Sequence, residues 1–249
     1  MDDRKDWSSA ASSILPDGRW LVTGGEKEQS YDVRKPISST KIYKDFEGWT
    51  QFSRLPFPTD SHCQVTIGNT TYIIGGDLED PQFSSSVYSL SEEDEWVSAP
   101  SLATPRSDQG CAAWGEKIYV IGGMTQTGYN KFAWLSSVEV LDTSDPTNTW
   151  APGPEFPRQV SNGHALVYHD VLYVLGGGSQ YGYDGALTGV FSLARDSLKW
   201  TWVAAYKKRY RSIFPAPVLP PEALHCCAML KSGLAKEVTH EQEDFCADG

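Results

Sequence analysis

Lys117-Ile118-Tyr119-Val120-Ile121-Gly122-Gly123 leaves a turn at Gly115-Glu116, runs through β-branched and aromatic residues, and stops on two glycines. Such a run reads as a buried strand. The glycine pair at its end supplies backbone angles closed to other residues and room for close approach. Working outward, the arrangement recurs as Trp20-Leu21-Val22-Thr23 before Gly24-Gly25, Tyr72-Ile73-Ile74 before Gly75-Gly76, and Leu172-Tyr173-Val174-Leu175 before Gly176-Gly177. Successive doublets lie 51, 47 and 54 residues apart. Each is followed 21 to 28 residues on by a tryptophan, in turn Trp49, Trp96, Trp150 and Trp200. Between doublet and tryptophan comes another short strand pattern, at 40–43, 86–90, 137–141 and 189–193.

A period near fifty residues, built of strand runs and turn signals, predicts radially repeated four-stranded units and an all-β chain. The expected strands are 9–15, 19–25, 40–44 and 49–52 in the first unit, and 63–67, 71–76, 87–90 and 95–97 in the second. The third takes 111–114, 117–123, 137–141 and 149–151, and the fourth 164–168, 171–177, 190–193 and 199–203. Turns fall at Pro16-Asp17-Gly18, Gly68-Asn69, Gly115-Glu116 and His169-Asp170, where proline presets φ or glycine accepts positive φ. Residues 1–6 read as a leader and 7–211 as the repeat array, with units at about 7–58, 59–104, 105–157 and 158–211. At 212–230 the chain begins as the first unit does, but Ala228-Met229 stands in the Gly-Gly place, so this stretch is expected to be a degenerate half unit. Residues 231–249 are polar and acidic, the composition of a disordered tail.

Doublet, middle strand and tryptophan in fixed order resemble the kelch repeat over residues 7–203. The resemblance implies a kelch-type β-propeller, here with four recognisable blades, a partial or shortened array. It also implies that Gly24, Gly25, Gly75, Gly76, Gly122, Gly123, Gly176, Gly177, Trp49, Trp96, Trp150 and Trp200 are structural. An open array would expose a strand edge and an apolar blade face, so self-association is possible.

Composition narrows the function. The net charge is −11, whereas nucleic-acid affinity rests on clustered Lys and Arg. The one basic cluster is Lys207-Lys208-Arg209-Tyr210-Arg211. No apolar stretch is long enough to span a bilayer as a helix, and the charged opening Met1-Asp2-Asp3-Arg4-Lys5-Asp6 lacks a secretory signal pattern. A cytoplasmic location is expected, with an extracellular one as the alternative if the true N-terminus lies further upstream. Cys63, Cys111, Cys226, Cys227 and Cys246 form an odd set without dense spacing, which reads as reduced thiols, Cys63 and Cys111 packing at similar places on neighbouring inner strands. The sequon Asn69-Thr70-Thr71 points the other way.

Alternating strand direction puts the loops after the Gly-Gly strands and those after the tryptophan strands at one end, the expected binding face. Tyr31, Arg34, Phe83, Tyr129, Phe132, Trp134, Tyr181 and Tyr183 crowd these loops, residue types that carry interface hot spots. Arg106 and Arg158 follow Pro105 and Pro157 at matching spacing, with Arg211 as a third equivalent. In kelch domains arginines at this loop can bind acidic peptides through bidentate guanidinium–carboxylate pairs. The alternative is that they tie adjacent loops together. Catalysis has little support: His62, His164, His169, His225 and His240 show no metal-ligand spacing, and no nucleophile elbow or phosphate loop is present. The sequence therefore predicts a non-enzymatic interaction module with no cofactor or metal, binding an unidentified protein or acidic peptide, and neither nucleic acid nor membrane. Two alternatives remain: a sugar-modifying enzyme of galactose-oxidase-like or epimerase type, and an extracellular carbohydrate-binding propeller.

Overall fold

The computed structural model describes residues 8–30, 33–79, 82–129, 131–178 and 189–205, all within the first of two compact units, Met1–Pro215 and Ala216–Gly249. The leader, the half unit at 212–230, the tail, the basic cluster at 207–211 and the loop tip at 179–188 lie outside the described residues. Four antiparallel four-stranded sheets follow one another along the chain. Blade one is β1 (Ala11–Ile14), β2 (Trp20–Thr23), β5 (Thr40–Lys44) and β6 (Gly48–Gln51). Blade two is β7 (Cys63–Ile67), β8 (Thr70–Ile74), β9 (Val87–Leu90) and β10 (Trp96–Ala99). Blade three is β11 (Gly110–Trp114), β12 (Lys117–Ile121), β15 (Val138–Asp142) and β16 (Trp150–Pro152). Blade four is β17 (His164–Tyr168), β18 (Val171–Leu175), β19 (Gly189–Ala194) and β20 (Thr201–Ala205). Two hairpins that the repeat pattern does not announce stand on the loop end: β3 (Glu26–Ser30) with β4 (Val33–Pro36), and β13 (Met124–Gly128) with β14 (Lys131–Trp134).

Each Gly-Gly strand ends before its glycines, and the pair makes the exit turn. Both glycines have positive φ, as at Gly122 (64°) and Gly123 (95°). Gly122 N–H donates to Ser137 O and Gly123 N–H to Val160 O, joining the middle strand and the loop entering the next blade in one corner. A Cβ on Gly122 would overlap the Val160 carbonyl oxygen. This is the close approach that requires glycine.

Period-two alternation then assigns faces. Ile118 and Val120 pack with Val65, Ile74 and Val87 in the seam between blades two and three, while Ile121 joins Leu172, Val174, Phe191 and Trp200 in the next seam. The repeated tryptophans reach backward: the indole N–H of Trp96 donates to Ser53 O, that of Trp150 to Pro100 O and that of Trp200 to Pro154 O. Each spans a seam with an apolar ring and closes it with one hydrogen bond. Trp49 instead lies against Trp20 and Tyr43 at ring-centroid distances of 5.2 and 5.3 Å, and 46% of it is exposed.

The cysteines depart from expectation. Cys63 and Cys111 are not reduced thiols but a disulfide joining β7 to β11, with Cα atoms 6.1 Å apart. Register gives the reason. Cys63 pairs with Ile74 whereas Cys111 pairs with Val120, and it is Gly110 that pairs with Ile121, the counterpart of Ile74. The two cysteines are therefore one step out of repeat equivalence, and one step turns a side chain to the opposite face. Cys63 looks toward blade three and Cys111 back toward blade two.

Candidate functional site

The loop end is organised around an inner rim made from main chain. Ser61 N–H donates to Ser9 O, Asp108 N–H to Ser61 O and Asn162 N–H to Asp108 O. These four residues all have positive φ, between 50° and 57°, a conformation that Asn and Asp tolerate best among non-glycine residues. Beside them, isolated bridges pair Ser8 with Glu26, Asp60 with Asp77, Ser107 with Met124 and Ser161 with Gly178. Glu26, Asp60, Asp77 and Asp108 consequently lie near one another. Burial pushes the Asp60 carboxyl up to about 7, the charges of Glu26, Asp77 and Asp108 add to the rise, and a hydrogen bond from Ser61 opposes it.

His62 follows on the rim and enters the seam behind blade one. Thr23 Oγ1 donates to Gln64 Oε1 at 2.6 Å and lies 2.8 Å from His62 Nε2. The hydroxyl has one proton, so it accepts from Nε2–H and fixes that tautomer. Burial holds the imidazole down to about 4. Its Nδ1 and the Oε1 of Gln109, which occupies the corresponding place in the next blade, are buried without protein partners. Among the described residues no group of three or more His, Cys, Asp or Glu side chains could hold a metal ion.

Arg106 is the main correction to the expected site. It is fully buried, not presented on the loop face. Its Nη1 donates to Gly122 O (2.9 Å) and Ser137 O (3.2 Å), and its Nη2 donates to Ser137 Oγ (3.2 Å) and Glu139 Oε1 (2.5 Å). Glu139, also buried, accepts from the Ala103 and Thr104 N–H groups as well. Desolvation lowers the guanidinium pKa, and Glu139 opposes that shift. Arg158 is exposed, with its guanidinium 5.3 Å from the Phe191 ring centroid.

The two arginines are not repeat equivalents. Gly25, Gly76 and Gly123 donate to the carbonyls of Thr59, Arg106 and Val160, which makes those three the matched set. Both loops run ten residues from tryptophan to the matched carbonyl, Trp96 to Arg106 and Trp150 to Val160, and the Pro-Arg pair stands two residues earlier in the second. Phe57, Thr104 and Arg158 form another set, each set against one middle-strand residue: Phe57 against Tyr88, the Thr104 N–H on Glu139, and Arg158 over Phe191. Among the described residues no ring of arginines forms at this end, and of the arginines named for an acidic peptide Arg106 is buried while Arg158 is exposed.

The aromatics fare differently. Phe83 and Phe132 meet at 5.6 Å, bringing the loop of blade two against hairpin β13–β14. Between them opens a cleft of about 190 Å³ lined by Gln82, Phe83, Pro105, Thr125 and Gln126. Tyr129, at the hairpin tip, is 84% exposed, Phe132 is exposed and Trp134 is half-buried. Arg34 lies on β4 with its side chain outside the described residues, as are Tyr31, Tyr181, Tyr183 and Arg211 entirely. Glu139 and Gln82 were missed by sequence. Only Glu139 carried a signal, as a lone charge inside Val138-Glu139-Val140-Leu141, where a strand facing a seam should be apolar.

Four-stranded blades turned on Gly-Gly corners and joined by backward-reaching tryptophans define a kelch-type β-propeller. A family model, the KLHDC2/KLHL20/DRC7 Kelch-repeats domain, matches residues 10–234, and the chain belongs to the kelch-repeat family. It is 29% identical over 183 residues to Kelch-like protein 41b of Danio rerio, covering 69% of this chain and 29% of that protein. It is 28% identical over 177 residues to Kelch-like protein 23 of Mus musculus, covering 68% of this chain and 30% of that protein. The chain thus spans under a third of the length of these relatives. The solved structure of YjhT superposes with a TM-score of 0.70 at 17% identity, over 81% of this chain and 71% of that one, a likeness of fold. No helix among the described residues is long and apolar enough to cross a membrane.

Proposed function

We propose that the chain is a non-enzymatic interaction module of the cytoplasm that binds a protein partner through the Gly-Gly loop end. The observation that carries this is the Phe83–Phe132 wall and its cleft, with Tyr129 exposed beside it, held on a scaffold whose seams are closed by backward-reaching tryptophans and hydrogen bonds. Aromatic side chains on a rigid frame bring large contact area at little conformational cost. Arg158 and Trp134 belong to the same end. The test is a paired capture: Tyr129→Ala with Phe132→Ala should abolish recovery of a partner, while Phe46→Ala on the exposed β5–β6 turn at the opposite end should leave it intact. Equal loss from both changes would refute a binding face at the loops.

A second reading, an extracellular carbohydrate-binding propeller, is favoured by the Cys63–Cys111 bond together with Asn69 standing exposed at the β7–β8 turn. Disulfides persist mainly in oxidising compartments. A glycan at Asn69 and binding on a glycan array would support it; an unmodified Asn69 and a silent array would exclude it.

A further inference from the structure

The Cys63–Cys111 bond stands where a seam does not need one. Register puts Ala11, Cys63 and Gly110 at one repeat position, paired with Thr23, Ile74 and Ile121. It puts Gln64, Cys111 and Ala165 at the next, paired with Ile73, Val120 and Val174. The second seam closes at these two places with a disulfide. In the first seam Gln64 accepts instead from Thr23, the strand partner of Ala11. In the third, a Cβ on Gly110 would lie 3.5 Å from that of Ala165, an ordinary contact. Small and polar side chains therefore suffice there.

The same seam accommodates both redox forms. Cys63 Sγ lies 3.5 Å from Gln109 O, and Cys111 Sγ lies 3.9 Å from Gln64 O. A disulfide sulfur has no proton to offer a carbonyl, whereas a thiol has one. Cys63 is buried and Cys111 is half-buried, so Cys111 is the sulfur that a reagent reaches first. Main chain connects the bond to the cleft. From Cys111 the chain leads back to Pro105 on the cleft wall, and on the way Arg106 N–H donates to Ser84 O, beside Phe83, while Arg106 O accepts from Gly76 N–H. Ile74, the strand partner of Cys63, leads into the same Gly75-Gly76 corner. Phe83 belongs to blade two and Phe132 to blade three, so the aromatic wall spans the seam that the bond ties.

We propose that Cys63–Cys111 is a reversible thiol–disulfide exchange site whose reductant is a dithiol, and that its state sets how firmly blades two and three hold the cleft. This rests on the cytoplasmic reading and on the loop end as a binding face. In a reducing compartment a disulfide serves as a transient, redox-responsive bond. A thiolate of the dithiol attacks Cys111 Sγ, the S–S bond breaks, and Cys63 leaves with the electron pair and takes up a proton that Gln109 O can receive. The second thiolate of the reductant then attacks the reductant's own sulfur in the mixed disulfide and releases Cys111. The dithiol ends as a disulfide, and its two electrons and two protons end on the cysteines.

The test uses the whole folded chain with dithiothreitol as the dithiol. Alkylation and peptide mapping should find Cys63 and Cys111 free without denaturant, and oxidised glutathione should restore the same pair without recruiting Cys226, Cys227 or Cys246. Circular dichroism should be the same for both forms. On reduction the amides of Gly76, Leu102 and Arg106 should exchange hydrogen for deuterium about tenfold faster, against about twofold or less in β18. Cys63→Ala with Cys111→Ala should reproduce the faster exchange and remove its response to dithiothreitol. A bond that yields only after denaturation, a scrambled pairing on reoxidation, or exchange that is unchanged at the cleft or accelerated equally in every blade would each overturn the proposal. If the paired capture still depends on Tyr129 and Phe132 in that event, the binding face stands and only the redox assignment falls.

Discussion

The loops that enter blades three and four solve one packing problem with different chemistry. At the position whose carbonyl receives the second glycine, the first uses Arg106 and the second Val160. Against the middle strand, the first sets two N–H groups on Glu139 and the second lays Arg158 over Phe191. Blade three thus has a buried ion pair with hydrogen bonds around it, and blade four has an apolar plug with an exposed cation above an aromatic ring. The shared main-chain frame fixes where contact occurs and leaves the kind of contact open. The polar solution is brittle, because losing either partner strands a buried charge. The apolar one is tolerant.

The largest effect should come from breaking the corner that both loops share. Gly122→Val places a Cβ on Val160 O at φ 64°, and little folded protein should be recovered, as seen by gel filtration and circular dichroism. Next, Arg106→Ala should cost about 3–5 kcal/mol in urea unfolding. Arg106→Val combined with Glu139→Phe, which imports the blade-four solution, should recover part of that loss; no recovery would mean that the two loops are not interchangeable. Removing the covalent tie by Cys63→Ser with Cys111→Ser should cost about 2–4 kcal/mol, and alkylation mass spectrometry on the denatured wild type should find neither thiol free.

The rim supplies a prediction in pH. Asp60, raised in the folded state to about 7, stabilises the fold below its unfolded pKa near 4, and that contribution is lost as pH rises through 7. His62, depressed to about 4, acts oppositely: stability falls as pH drops from about 6.5 to 4. The two slopes offset each other in that window. Asp60→Asn should raise the Tm at pH 8 and uncover a decline below pH 6.5 that the wild type lacks. The smallest effect belongs to the other arginine: Arg158→Ala should change stability by only about 0.5–1 kcal/mol, the range of an exposed cation–π contact. A loss matching that of Arg106→Ala would erase the contrast between the loops.

Blade architecture was legible because Gly-Gly, middle strand and tryptophan are each demanded by backbone or packing, and such demands leave a period in the sequence. Four strands, including Cys63–Ile67 and His164–Tyr168, match expectation in both bounds. What was illegible depends on register at single-residue resolution. Counting from prolines matched Arg106 with Arg158 although the hydrogen bonds match it with Val160, and a similar slip of one residue hid the disulfide. Hairpins β3–β4 and β13–β14 were read as loops because Glu26-Lys27-Glu28-Gln29 and Met124-Thr125-Gln126-Thr127 show no apolar alternation, having no core to face. Phe83 and Phe132 were named from their place on the loops and their residue type, and their contact is a product of the fold.

The inner rim carries one further consequence. Ser9, Ser61, Asp108 and Asn162 hand the strand-to-strand connection around the blades through N–H and C=O groups, so the side chains at these positions take no part in the linkage. A residue that tolerates a left-handed backbone keeps this main-chain linkage, and a change from serine to aspartate there alters the charge at the rim. Carboxylates stand at Glu26, Asp60, Asp77 and Asp108 in blades one to three, while the matching places in blade four among the described residues include Asn162 and Gly178, an asymmetry written on a backbone that repeats. Such a rim is a chassis on which the electrostatic sign of a binding surface can be rewritten one residue at a time.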